Sequence, residues 1–347
     1  MRRLVVPVAV LVVLALVPRL AVDIPYVFKG GLNTPGTLQL LALCLVFGGL
    51  ALTYDLLFGF TGLLSFGHAL YFAVGVYVAC IAITKWHWGF VPALAFTALV
   101  GILLPLALGA VSLRVGGIAF AMVTLAFAQA GSILVFKNPH GWTGGEEGLG
   151  TDYTKLPAAF VGIFNTKNLY WLALAYAAIV FVVVRWVVDS SPGRVWRAIR
   201  ENELRVEVLG LRPYVFKLMS FVLASFLATA GGVVYLLLLG GATTDVTGAN
   251  FTLTLLVMVV IGGTGTRWGA LVGGILYTYA NQRLGDASSS HAVSRLPSLL
   301  RTPLEQPLFV LGVLFILVVF FVPGGLTQLG RVRRPKALQR LQEAMQR

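Results

Sequence analysis

One short stretch, holding Asp55, Thr61, Ser65, Gly67 and His68, carries most of the polar chemistry available inside the apolar bulk of this sequence. A polar or ionisable side chain at membrane depth is costly and normally faces a bundle interior. Thr61, Ser65 and His68 therefore either hydrogen-bond between helices or border a path for a polar solute. Gly59, Gly62 and Gly67 allow a close backbone approach, or a helix break, at the same place. Asp55 poses the choice most sharply: water near an interface satisfies its carboxylate, or it lies on such a path. Thr124 and Gln129, polar among apolar neighbours, are read in the same two ways.

Catalytic motifs do not accompany these residues. The chain contains no Gly-Lys pair, hence no phosphate-cradling loop with its lysine. It also lacks H-E-x-x-H, G-x-S-x-G and paired-carboxylate motifs. Cys44 and Cys80 lie in apolar runs and form neither a C-x-x-C nor a Cys/His cluster, so no metal site or disulfide framework is expected. The chain reads as a non-enzyme with no cofactor of its own.

The elements that must position these residues follow from composition. Of 347 residues, 58% are hydrophobic and 11% charged, with a mean hydropathy of +0.88. Soluble domains carry about 25% charged residues. Apolar runs near 4–22, 38–58, 63–84, 90–112, 115–136, 169–188, 217–240, 250–262, 269–281 and 307–323 predict an all-α, polytopic membrane protein of eight to ten segments. Runs 250–262 and 269–281 are too short to span upright and read as a broken or re-entrant pair. The stretch Leu4–Val17 reads as a retained first span rather than a cleaved signal.

The net charge of +13 fits this class. With the N-terminus in the cytoplasm, most Lys and Arg fall in cytoplasmic segments, as the positive-inside bias requires. They would face anionic lipid headgroups rather than nucleic acid. The same tally puts both termini in the cytoplasm and makes residues 331–347 a basic cytoplasmic tail. Trp86 and Trp88 read as interfacial anchors.

Residues 189–216 form the most charged loop. Ser191 is a plausible N-cap and Pro192 a good first helical residue; Gly210 supplies a stop, with Pro213 beyond it. Val195, Ile199, Val206 and Leu209 would share one helical face. Glu201, Glu203 and Glu207 lie among the arginines, which favours a docking surface for a cytoplasmic partner over a purely lipid-bound helix.

Four stretches carry a family resemblance: Asp55–Ala69; Leu113–Ala128 with Thr143–Leu149; Gly193–Gly210 running into Lys217–Tyr235; and Gly262–Ala270 with Phe321–Leu326. Together they resemble the LivM-type permease subunit of bacterial branched-chain amino-acid ABC transporters. Family members often carry Asn where Asp55 stands. The resemblance implies that residues 1–330 form a transmembrane permease domain in the bacterial cytoplasmic membrane, importing leucine, isoleucine and valine. Urea or short-amide permeases share most of these motifs, and a stand-alone ion-coupled secondary transporter is the rival from another class. The implied partners are a second, LivH-type permease, two ATPase subunits that hold ATP and Mg, and a periplasmic or lipid-anchored solute-binding protein. On this resemblance Asp55, Thr61, Ser65, Gly67, His68, Thr124 and Gln129 belong to the translocation pathway. Glu207 and Gly210 fall where the coupling motif lies, Arg197 and Arg200 would contact the ATPase, and Gly144, Gly145 and Glu146 would meet the binding protein.

Overall fold

The computed structural model describes residues 10–19, 30–162, 165–266, 268–288, 306–322 and 324–328. Its helices in chain order are α1 (Val10–Arg19), α2 (Pro35–Asp55), α3 (His68–Thr84), α4 (Phe90–Ser112), α5 (Gly117–Lys137), α6 (Thr166–Asp189), α7 (Ser191–Glu201), α8 (Glu203–Val208), α9 (Pro213–Leu239), α10 (Ala249–Gly262), α11 (Gly269–Ser288) and α12 (Pro307–Phe321). Among the described residues five spans are long and apolar enough to cross a membrane: Pro35–Thr61, α4, α5, α6 and α9; α1, α3, α10 and α12 are shorter apolar helices. The chain is an all-α, multi-pass membrane protein. The basic tail and most of the 282–306 loop lie outside the described residues.

α2 sits at the centre, packed against α6, α9, α10 and α11, while α3 and α4 pack on α9. With no water to expel between helices in lipid, small residues set how closely they approach. A Cβ on Gly274 of α11 would come 2.7 Å from Gly48 Cα of α2, and one on Gly232 of α9 would come 2.9 Å from Val76 N of α3. α10 and α11 form the expected tight pair, with Gly262 and Gly273 facing each other.

The structure departs from the sequence expectations in four places. α11 continues past residue 281, because Arg283 and Asp286 sit one helical turn apart and pair on its surface (3.7 Å). Ser190 rather than Ser191 precedes α7: Ser190 is extended, and Pro192 falls inside the first turn. The 191–210 element is two helices, because the Asn202 side chain accepts from Arg205 N–H (3.1 Å) and starts α8 afresh. That break removes Leu209 from the buried face, leaving it 77% exposed, whereas Trp196 is fully buried. Finally, a two-stranded antiparallel ladder pairs β1 (Leu149–Gly150) with β2 (Gly241–Ala242).

Candidate transport site

The central span does not end cleanly. α2 runs into a π-helical turn, Leu56–Thr61, stopped by Gly62 in the left-handed region (φ +79°). The chain then runs without helical structure through Leu63–Ser65 to a turn that starts α3 at His68. Non-helical backbone at membrane depth must have its N–H and C=O groups satisfied by protein. Here four side-chain hydroxyls satisfy backbone groups on either side of the break. Thr124 Oγ1 of α5 accepts from Phe66 N–H (3.1 Å) and donates to Ala121 O (2.9 Å). Ser65 Oγ accepts from Gly67 N–H (3.3 Å). Thr252 Oγ1 of α10 accepts from Ala69 N–H in the first turn of α3 (3.1 Å). Thr61 Oγ1 donates back to Leu56 O (2.9 Å). Gly67 is small because a Cβ there would press on Thr124 O at 2.8 Å.

His68 is fully buried beside this break. Its Nε2 lies 2.9 Å from Thr53 Oγ1, whose own proton goes to Leu50 O (2.7 Å). The imidazole must then donate from Nε2, which assigns the neutral Nε2–H tautomer. Nδ1 is left as a buried acceptor with no partner among the described residues. Asp55, Thr61, Ser65, Gly67, His68 and Thr124 are thus drawn together around the break. Gln129 is not: it lies on an exposed face of α5, away from Thr124.

A second cluster adjoins the first. Asp55 is fully buried, and its Oδ1 accepts from Gly265 N–H (2.9 Å) in the loop between α10 and α11. The Arg200 guanidinium of α7 donates to the carbonyl of Gly59 in the π-helical turn. Gly265 has φ +67°, and a Cβ there would sit 2.8 Å from Arg200 Nη1 and 2.9 Å from Gly59 O. Asp55, Gly59, Arg200 and Gly265 therefore interlock with no room for another side chain. Arg200 is an exposed residue of α7 that turns one guanidinium nitrogen back into this junction.

α7 is anchored by more than Arg200. Trp196 is buried and its Nε1–H donates to Phe216 O of α9 (2.8 Å). Arg197 turns back on its own chain, donating to Val188 O (3.2 Å) and Gly193 O (3.3 Å), and so satisfies a carbonyl in the last turn of α6. What projects from the bundle is α8: Glu207 and Gly210 are exposed, with Val208 at 82% and Leu209 at 77%. Large apolar side chains this exposed on a polar loop mark a contact surface. The cue available in the sequence was Asn202, an N-cap residue within a supposed single helix.

The far loop is built around Asn138, whose Oδ1 accepts from Thr143 N–H (2.9 Å) and Gly144 N–H (3.1 Å). Gly144 and Gly145 both take positive φ, and Glu146 points outward. β1 follows and ties the loop to β2. Asp152 Oδ1 accepts from Thr154 Oγ1 (2.7 Å) and Thr154 N–H (3.0 Å), and those donors hold its carboxyl below the usual carboxylate range. Among the described residues no group of three His, Cys, Asp or Glu could hold a metal ion.

A multi-pass helical bundle whose central span breaks at a buried polar cluster, with a charged helix pair beside it whose second member projects, fits the class of membrane permeases. Residues 36–319 match the family model described as the branched-chain amino acid transport system / permease component, and the chain belongs to that family. It is 25% identical, over 322 residues, to the high-affinity branched-chain amino acid transport system permease protein LivM of Escherichia coli K12, covering 85% of this chain and 71% of that protein. The protein of the same name from Salmonella typhimurium is 24% identical over the same shares. A probable branched-chain amino acid transport permease protein LivM of Methanocaldococcus jannaschii is 26% identical over 173 residues, 48% of this chain and 49% of that one. No solved structure matches the chain significantly.

Proposed function

We propose that this chain is the membrane-spanning subunit of an ATP-driven importer of leucine, isoleucine and valine in the bacterial cytoplasmic membrane, with both termini in the cytoplasm. It pairs with a second, LivH-type permease. Two ATPase subunits bind and hydrolyse ATP with Mg, and an external solute-binding protein delivers the amino acid. The observation that carries this reading is α7–α8. The pair exposes Glu207, Val208 and Leu209 on one side, and Arg200 grips the Gly59 carbonyl on the other. Movement of an ATPase docked on α8 would pull on the π-helical turn and so on the break at Ser65–His68. The break is where the path would change access.

The test is Glu207→Arg in the intact complex, with co-purification of the ATPase subunits and uptake of labelled leucine as readouts. Loss of both is expected, since like charge placed at a docking surface opposes association. Unchanged co-purification and uptake would sink the docking assignment. Uptake of labelled urea in place of leucine would overturn the solute.

A further inference from the structure

The ends of α3, α9 and β2 remote from α7 bring together a second set of residues. Phe47, Phe72, Tyr235 and Phe251 pack their rings with centroids 5.3–6.4 Å apart. Phe47 and Phe251 are only half-buried, so this aromatic wall is partly open. Tyr77 is 4% exposed, yet its hydroxyl has no hydrogen-bond partner among the described residues. A buried unpaired hydroxyl costs free energy and calls for an explanation. Asp245 is exposed on the turn Thr244–Val246, which follows β2 and packs against α3, the helix that carries Tyr77. Three residues further on, α10 begins at Gly248 without a side-chain cap, and Phe251 of its first turn is part of the aromatic wall. Phe251 N–H donates to Gly248 O (3.1 Å), which leaves the N–H groups of Ala249 and Asn250 as the first-turn donors offered to an anion beside the wall.

We propose that this is an entry site for a zwitterionic α-amino acid with an apolar side chain. The ammonium group binds Asp245 and the Tyr77 and Tyr235 oxygens. The carboxylate binds the start of α10, and the side chain lies on the Phe47–Phe72–Phe251 wall. The pattern is complementary to that ligand class: a negative group, a positive helix end and an aromatic surface side by side. The turn at Gly145–Glu147 touches the turn bearing Asp245, and β1 pairs with β2 just before it. A protein docked on Glu146 would therefore bear directly on the ammonium site. This inference rests on the amino-acid import reading above.

The experiment compares wild-type complex, Asp245→Asn and Tyr77→Phe in leucine uptake, with competition by 4-methylpentanoate, which lacks the ammonium group. Wild type is expected to ignore the competitor. Asp245→Asn should raise KM for leucine about tenfold or more, the scale of a hydrogen bond to a charged group, and should admit the competitor. Tyr77→Phe, which keeps the ring and the packing, should raise KM by a smaller factor and leave kcat alone. A wild type that carries leucine, with both variants unchanged in KM and in competitor rejection, overturns the site alone. A wild type that carries no amino acid overturns the site together with the import reading.

Discussion

Arg200 and Gly59 are joined across 141 positions of sequence by a guanidinium-to-carbonyl hydrogen bond. The carbonyl is available because a π-helical turn lets its C=O groups point away from the regular α-helical ladder. A cation on α7 thus holds the backbone where the central span gives up its helix. Replacing Arg200 by Ala leaves that carbonyl without its charged donor, a loss of about 1.5–3 kcal/mol. Thermal unfolding of the purified subunit should shift downward accordingly, and uptake should fall while the ATPases still co-purify. Arg200→Lys should recover part of the loss, because an ammonium can donate but lacks the planar fork.

Asp55 holds the other side of the same junction through Gly265 N–H. Asp55→Ala removes that acceptor and strands a buried N–H, costing about 1–3 kcal/mol. Asp55→Asn keeps an acceptor oxygen and removes the charge. Denaturation in detergent should therefore rank wild type and Asn close together and Ala well below. An Asn variant as damaged as Ala would show that charge, not the hydrogen bond, is what matters there.

Trp196 seats α7 on α9. Trp196→Ala should destabilise by about 3–5 kcal/mol, the range for emptying a buried large aromatic site. Limited proteolysis should then cut within 191–210, while the membrane-spanning helices stay protected. Trp196→Phe retains most of the packing and loses only the Nε1–H donation, so cleavage should rise much less.

Asp152 sets the pH response of the far loop. Its carboxyl titrates below the usual range because Thr154 donates to it twice. A lowered folded-state pKa means the stabilisation is complete above the unfolded-state value, about 3.9, and is lost as pH falls through the folded-state value. Comparing wild type with Asp152→Ala by thermal unfolding should show a small gap at neutral pH that closes below about pH 4. A gap that widens on acidification would contradict this arrangement.

Much of the architecture was legible from residue order alone. Among the described residues the apolar runs became helices, Gly210 followed the end of α8, and the short runs at 250–262 and 269–281 paired. Those features depend on the local chain: apolar length, turn-forming glycine and the backbone rules of a lipid solvent. The tertiary structure decided which faces turned inward. A helix that is apolar all round has no polar stripe to orient it. Hence nothing local placed Thr124 inward and Gln129 outward on α5, whereas the amphipathic pattern of 191–210 did turn Ile199 and Val206 inward but not Leu209, which follows α8 beyond the break at Asn202. Nothing local set the partnerships that define the central junction either, Arg200 with Gly59 and Asp55 with Gly265. Each joins residues on separate elements, and only the close approach of glycine-faced helices brings them within reach.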